Sequence, residues 1–317
     1  MLGLIQITPW HWAGFVVCVL VFLAMDLGVF HRKSRVVTFG EALAWTGIWF
    51  ALAMLFALII APAVVADWQL KQTVEFVTGY VIELSLSMDN VFVIALIFGH
   101  FLVPARYQHR VLFWGIIGAL IMRGLVIWLG VELIERFAWI LLALGVFLVV
   151  SGLKMLLTKE KASNPEQSLP VRLTRKLFPV SKDFDGQKFF TRINGRNALT
   201  PLMLVLVLVE TTDLIFALDS IPAVFAVTTN PFIVFTSNVF AILGLRSLYF
   251  VLAGAIQYFR YLKIGLSVVL VFIGLKMVIA RFVEIPTPLS LGMVVLIIAT
   301  SIMASVVTTR REKDQAD

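Results

Sequence analysis

Nine apolar runs, each long enough to cross a bilayer, constrain this chain more than any other feature. A membrane-spanning helix needs about 20 predominantly apolar residues. Such runs occur at roughly 11–30, 41–64, 74–101, 111–131, 137–157, 199–227, 231–257, 264–281 and 288–308. Hydrophobic residues make up 60% of the chain and the mean hydropathy is +0.98, whereas soluble domains are about 45–50% apolar. The sequence therefore predicts an all-α, polytopic membrane helix bundle and excludes a soluble globule or a disordered chain.

Lysine and arginine are distributed unevenly between the two sets of loops. If the N-terminus lies outside, the cytoplasmic segments carry 19 of the 26 basic residues and the outer segments carry three. Cytoplasmic loops of membrane proteins are enriched in Lys and Arg. We therefore predict an outside N-terminus and a cytoplasmic C-terminus. The same enrichment accounts for the net charge of +7 without a nucleic acid as partner.

Charged residues also mark an internal repeat. Three of them recur at almost the same spacing, as Asp89, Arg123 and Lys154 and then as Asp213, Arg246 and Lys276. Each copy has three spans, so the two copies would enter the membrane from opposite sides, as in the inverted repeats of secondary transporters. Asp89 is expected to superpose on Asp213, with spans three and six as neighbours.

The predicted organisation follows from the spans and the repeat. It comprises two N-terminal helices in 1–72, a first repeat in 73–157, a basic cytoplasmic loop in 158–198, a second repeat in 199–282, and a last helix with a cytoplasmic tail in 283–317. Within the loop, Asn194-Gly195 follows several apolar residues. This dipeptide favours a tight hairpin turn, so a small hairpin is expected there.

Carboxylates inside apolar spans are the second strong constraint. Five lie in spans three and six, namely Glu83, Asp89, Glu210, Asp213 and Asp219. Each costs about 2.5–3.5 kcal/mol at the centre of a membrane helix, so a partner has to compensate. Six acids, these five and Asp26, face four bases within the spans, Arg123, Lys154, Arg246 and Lys276. The formal balance of −2 matches one divalent cation or two protons.

Two arrangements of these acids are open. Pro222 removes a backbone hydrogen bond in span six, and an interrupted helix would let the carboxylates converge on one site lined by carbonyl groups. Alternatively, Arg123 and Arg246 form fixed ion pairs with carboxylates, and Ser and Thr neighbours satisfy the other acids separately.

The side chains near these acids favour a hard cation. Carboxylate, amide and hydroxyl oxygens suit Mg²⁺, Ca²⁺ or Mn²⁺. Secondary ligands or pathway residues would be Ser85, Ser87, Asn90, Thr211, Thr212, Ser220 and Asn238. Soft-metal chemistry is not expected, because Cys18 is the only cysteine and the histidines lie at or near span ends. We expect no catalytic residue and no catalytic cofactor, hence no enzyme.

The acidic segments resemble the TerC/Alx family of integral membrane proteins. The resemblance covers roughly 10–308 and is carried by GYVIELSLSMDNVFV in span three, by the stretch from PLMLVLVLVETTDLIF to LGLRSLYF in spans six and seven, and by KIGLSVVLVFIGLKM in span eight. It implies a bacterial inner-membrane protein associated with manganese export, tellurite resistance and the response to alkaline pH. It also implies functional roles for the same five acids. Leu84 departs from the family, whose members often have Lys there, so a cation beside Glu83 is not assumed.

The leading interpretation is a secondary transporter that exports a hard divalent cation, with Mn²⁺ chosen by the resemblance. The chain has no GxxxxGK[ST] nucleotide-binding motif. Exchange with protons is therefore the expected driving force, since clustered carboxylates can bind either a metal or protons. The alternatives are a membrane redox or stress-response protein without transport activity and a membrane scaffold that uses the basic loop. The lipid bilayer is the expected surrounding, and protein partners are left open.

Overall fold

The computed structural model describes residues 7–28, 38–137, 139–157, 165–193, 195–255, 261–280, 282–283 and 285–314. α-Helices make up most of this part of the chain. Their bounds are α1 Pro9–Gly28, α2 Phe39–Leu55, α3 Ala61–Val64, α4 Leu70–His100, α5 Ala105–Arg136, α6 Trp139–Leu157, α7 Leu169–Leu177, α8 Pro201–Phe225, α9 Pro231–Ala255, α10 Leu262–Ile279 and α11 Thr287–Asp314. A π-helical turn, Phe56–Ile60, joins α2 to α3, and a 3₁₀ turn, Pro165–Gln167, precedes α7.

Eight helical segments among the described residues are long and apolar enough to cross a membrane. They correspond to the predicted spans two to nine, with α2, the π-helical turn and α3 forming one continuous span, Phe39–Val64. The predicted first span is α1, whose apolar part Pro9–Ala24 is shorter. The prediction of an all-α, polytopic membrane helix bundle is confirmed.

The helices form a packed centre with more exposed helices around it. α9 lies at the centre, because 89% of the residues in its apolar stretch are buried. In α6 and α11 only 17% of the corresponding residues are buried. α4 packs against α8 and α9, α5 packs against the same two helices, and α6 packs along α10. The site described below lies where α4, α5, α8 and α9 meet.

Glycines bring α6 and α10 into close contact. A Cβ atom on Gly145 would lie 3.1 Å from the carbonyl oxygen of Gly274, and one on Gly152 would lie 2.8 Å from that of Ser267. Small residues allow such backbone approach between membrane helices. Gly145 and Ser267 are 122 residues apart in sequence, and so are Gly152 and Gly274. If these residues are taken as equivalent, the Gly145–Gly274 contact corresponds to the Gly152–Ser267 contact. Two helices related by a two-fold axis make contacts of this reciprocal kind.

Neither acidic helix is interrupted. α4 is regular from Leu70 to His100, and α8 continues through Pro222 to Phe225. The interruption expected at Pro222 is wrong, because the proline lies in the last turn of α8, where one missing backbone bond does not divide the helix. The amide of Ala226 still donates to the carbonyl oxygen of Pro222 (3.1 Å).

The basic loop contains the expected hairpin. Strands β1 Phe190–Ile193 and β2 Arg196–Leu199 pair antiparallel, with Phe190 opposite Leu199 and Ile193 opposite Arg196. Gly195 has φ +78°, a left-handed conformation that glycine adopts without strain. At the base of the hairpin, Asp185 accepts hydrogen bonds from Thr191 and Lys188, and these bonds lower the pKa of its carboxyl group.

Candidate functional site

Arg123 of α5 is a fully buried cation that joins carboxylates from two other helices. Its Nε and Nη2 atoms donate to Asp213 Oδ2 and Oδ1 at 3.0 and 2.9 Å, and Nη1 donates to Glu83 Oε1. The three side chains are only 0–3% exposed. A bidentate guanidinium–carboxylate pair is strong and fixes orientation. The ion pair considered for Arg123 is therefore present, and the cation beside Glu83 comes from α5 rather than from position 84.

Three further polar side chains complete this buried group. Nη1 of Arg123 lies 3.4 Å from Ser220 Oγ and 3.4 Å from Asn238 Oδ1, and Asn90 bonds to Asp213. All three are at most 2% exposed. The central polar cluster is defined as Glu83, Asn90, Arg123, Asp213, Ser220 and Asn238.

The contacts between α4 and α8 are reciprocal. Asn90 Nδ2 donates to Asp213 Oδ1 (2.5 Å), and Ser220 Oγ donates to Glu83 Oε1 (3.4 Å). In each helix the acid precedes its polar companion by seven residues, a spacing of almost two turns that keeps both on one face. The two helices are antiparallel where they cross, because each acid meets the companion of the other.

These two hydrogen bonds show which residues of the two repeat copies are equivalent. Each bond joins an acid of one helix to the polar companion of the other, so Glu83 is equivalent to Asp213 and Asn90 is equivalent to Ser220. Both pairs are separated by 130 residues. The expected equivalence of Asp89 with Asp213 is therefore wrong by six residues, and Asp219 is the counterpart of Asp89. Matching charged residues alone gave the wrong register, because Asp89 can be matched with either Asp213 or Asp219.

Several buried polar atoms of this region have no hydrogen-bond partner among the described residues. They are Glu83 Oε2, Ser87 Oγ, Asn90 Oδ1, Glu210 Oε2 and Asn238 Nδ2. Most buried polar atoms in proteins are paired, so this concentration is unusual. Glu83, Ser87 and Asn90 follow one another at intervals of four and three residues and share one face of α4. That face therefore presents unpaired oxygen acceptors.

Two other predicted acids make no hydrogen bond to the central polar cluster in the described part of the chain, although Glu210 lies close enough to Asp213 to interact with its charge. The Glu210 carboxylate is half-buried against Gly118 of α5, where a side chain on the glycine would overlap it. Asp219 is half-buried, accepts a hydrogen bond from Ser151 and lies near Lys154 of α6.

The remaining predicted acid, Asp89, is also half-buried. No group of three or more His, Cys, Asp or Glu side chains in the described residues is placed to hold a metal. The expected convergence of five carboxylates is therefore wrong, and only Glu83 and Asp213 converge. On regular helices, residues six positions apart differ by about 120°, so Asp89 and Asp219 face away from them.

The secondary residues divide in the same way. Ser85 and Thr211 donate to the carbonyl oxygens of Val81 and Val207 on their own helices (2.5 and 2.7 Å), so their hydroxyl protons are used locally. Thr212 is half-buried. Arg246 lines a different cavity, together with Glu41, His109 and Phe250. It therefore does not repeat the role of Arg123.

One buried acid was missing from the sequence count. Glu75 of α4 is 8% exposed, lies 4.0 Å from Lys71 and is close to Lys276 of α10, which is 9% exposed. The formal balance within the spans is therefore more negative than −2. The position of Glu75 in the first turns of a predicted span could have revealed it, and the seven-residue spacings could have revealed the face shared by Glu83 and Asn90.

Known proteins match this chain over almost its whole length. The model of the family described as "Integral membrane protein TerC family" matches residues 68–313. A membrane protein of Myxococcus xanthus, STKORF319, is 51% identical over 303 residues, 96% of this chain and 94% of the relative. The "Putative membrane-bound redox modulator Alx" of Escherichia coli K12 is 46% identical over 317 residues, covering 97% and 98% of the two chains. No solved structure matches.

Proposed function

Since this chain belongs to the TerC family of integral membrane proteins, we propose that it is a secondary transporter that exports a hard divalent cation, Mn²⁺ in the first instance, in exchange for protons. The observation that carries the proposal is the central polar cluster. It combines two buried carboxylates from antiparallel helices with unpaired oxygen atoms on one face of α4. Arg123 balances one of the two carboxylates, and the remaining negative charge inside apolar spans is costly unless an ion or a proton balances it.

Charge supports a divalent substrate. Glu83, Asp213 and Arg123 together carry a formal charge of −1 when all are ionised. Glu210 precedes Asp213 by three residues and lies on the same helix face. Its carboxylate brings the local formal charge to −2. One divalent cation or two protons would balance this charge, so the two can replace one another in a transport cycle.

The chemistry of the ligands supports a hard cation. Glu83 Oε2, Ser87 Oγ and Asn90 Oδ1 supply carboxylate, hydroxyl and amide oxygens without competing hydrogen bonds among the described residues. Such oxygens are preferred by Mg²⁺, Ca²⁺ and Mn²⁺. The choice of Mn²⁺ among them rests on the family resemblance.

Arg123 provides the competing cation in this proposal. Its guanidinium occupies Glu83 Oε1 and both oxygens of Asp213. A metal ion that binds the free oxygens beside it lowers the attraction of Glu83 for the guanidinium. Protonation of one carboxylate leaves Arg123 and the other as a neutral pair. Metal and proton would thus favour different arrangements of the same three side chains.

Flux in proteoliposomes tests the proposal. The purified full chain is reconstituted, and uptake of Mn²⁺, Mg²⁺, Ca²⁺ and Zn²⁺ is measured with and without an imposed pH gradient, against protein-free vesicles. We expect Mn²⁺ uptake that requires the protein. Uptake should be faster when the vesicle interior is more acidic than the medium, so that protons leave as Mn²⁺ enters. Flux equal to that of protein-free vesicles for all four ions would overturn the proposal.

The name of the Alx relatives supports a second candidate, a membrane redox modulator without transport activity. The chain has a single cysteine, Cys18, so a dithiol–disulfide couple would need a second molecule. The same vesicles distinguish the candidates. Transport predicts full Mn²⁺ flux in Cys18→Ser under oxidising and reducing conditions, whereas the redox candidate predicts no flux and a change in the redox state of an added quinone or thiol.

A further inference from the structure

Helix α7 exposes a row of leucines that no described part of the chain covers. Leu169, Leu173 and Leu177 recur every four residues and therefore lie along one face. They are 78%, 59% and 64% exposed. Val171, which points about 160° away from the middle of the row, is completely buried. The helix is thus attached by its valine side and presents the leucines outward.

The position of α7 is next to the ends of three membrane spans. Val171 belongs to the same apolar cluster as Tyr107 of α5 and Leu202 of α8. Arg175 lines an open cleft with Leu102, in the turn between α4 and α5, and with Pro201, at the start of α8. Leu102 is itself 82% exposed. The leucine row is therefore close to the lipid-facing surface where these spans end.

Basic side chains border the leucine row. α7 contains Arg172, Arg175 and Lys176 and no acid, and all three are exposed. Arg175 lies about 40° from Val171 on the attached side and pairs with Glu166 (3.7 Å), so it does not border the leucines. Arg172 and Lys176 lie within about 60° of Leu169 on one side. A short helix with an apolar face bordered by Lys and Arg is typical of helices that lie in the plane of a membrane surface. The charges complement anionic headgroups rather than a neutral surface.

We propose that α7 is an in-plane anchor that binds the anionic lipid headgroups of the leaflet next to the start of α8. The leucines insert between the upper parts of the acyl chains, and Arg172 and Lys176 bind headgroup phosphates. The inference is independent of the transported ion. In this proposal the basic loop binds the membrane surface and holds the first residues of α8, the helix that carries Asp213.

Site-specific fluorescence tests this inference in the full chain. In a Cys18→Ser background, Leu173→Cys is labelled with an environment-sensitive fluorophore, and Lys182→Cys in the following loop is the control. Each protein is placed as one or two protomers per nanodisc, with phosphatidylcholine alone or mixed with phosphatidylglycerol. Lipids with a spin label on the acyl chain serve as quenchers. Both positions are exposed, so neither substitution should disturb the fold.

The expected result is a blue-shifted, strongly quenched probe at Leu173 in anionic discs and an unquenched probe at Lys182. Replacing Arg172 and Lys176 with Gln should weaken this insertion roughly five-fold for each charge removed. A probe at Leu173 that stays in water in anionic discs would overturn the inference. So would quenching independent of lipid charge, or protection that requires two protomers per disc, which would indicate a second copy of the chain as the occupant.

Discussion

At the scale of single residues, Arg123 shows what the sequence could and could not provide. Its position in an apolar span predicted a carboxylate partner, and the acidic candidates were the correct residue types. The partners themselves, Glu83 and Asp213, lie 40 and 90 positions away. Their choice depends on how α4, α5 and α8 cross, which no local pattern determines. The unpaired atoms of Ser87 and Asn238 likewise become visible only in three dimensions.

Removal of the buried guanidinium should destabilise the fold. Arg123→Gln leaves two carboxylates buried without their cation, a change that costs about 3–5 kcal/mol. The matched control is Arg136→Gln, because Arg136 pairs with Glu132 at the exposed end of the same helix and such pairs contribute only about 0.3–0.5 kcal/mol. Thermal unfolding in detergent should show a large loss for Arg123→Gln alone.

The same pair of variants can contradict this role of Arg123. A loss of stability in Arg123→Gln that is no larger than the loss in Arg136→Gln would show that Arg123 does not hold the cluster together.

Glu210 depends on the absence of a side chain at position 118. In Gly118→Ala, the new methyl group would occupy the space of the Glu210 carboxylate, which must then leave its present position. We expect folded protein with lowered Mn²⁺ flux. Gly47→Ala in α2 is the control, since a Cβ atom there meets nothing within 4 Å. Equal Mn²⁺ flux in Gly118→Ala and Gly47→Ala would show that Glu210 does not take part in transport.

At the scale of elements, length and hydropathy predicted the spans well, because a membrane helix must satisfy its backbone internally and cover its surface with apolar side chains. The prediction was poorer where these constraints are weak. Helix α7 has nine residues within a charged loop, so its apolar face is too short to be recognised as a span. The effect of Pro222 was also misjudged, since a proline near the end of a helix changes little.

Packing of α6 on α10 should be sensitive to side-chain volume. Gly152→Val would place new atoms against the backbone of Ser267 and Val271 in α10, and overpacking of this kind costs about 1–3 kcal/mol. Gly292→Val in α11 adds the same atoms at a position with nothing within 4 Å. Thermal unfolding of both variants should show a loss of stability only for Gly152→Val. The reverse order would contradict this helix pairing.

At the scale of the whole molecule, two sets of reciprocal contacts relate the repeats. Asn90–Asp213 and Ser220–Glu83 join α4 to α8, and the glycine contacts join α6 to α10. The sequence predicted that two copies exist, because charged residues recur at similar spacings. The sequence alone did not decide the register, since Asp89 matches Asp213 at one shift and Asp219 at another.

The charge asymmetry makes a prediction about orientation. Cysteines introduced at Lys182 and at Lys71, in a Cys18→Ser background, should label from opposite sides of the membrane, with Lys182 reached only from the cytoplasm. The excess of Lys and Arg in the segments on that side is the physical reason. Labelling of Lys182 by an impermeant reagent in intact cells would contradict the predicted topology.

The central claim, that the crossing of α4 and α8 is the ion site, is tested most directly by Mn²⁺ flux per folded protein in Glu83→Gln. The amide keeps the shape of the side chain but removes one charge-assisted ligand, a loss of about 1.5–3 kcal/mol or roughly ten-fold or more in affinity. The control is Glu132→Gln at the exposed end of α5. The account predicts that Glu83→Gln inserts and folds but loses at least about ten-fold in flux, while Glu132→Gln matches wild type. Wild-type flux from folded Glu83→Gln protein would contradict it.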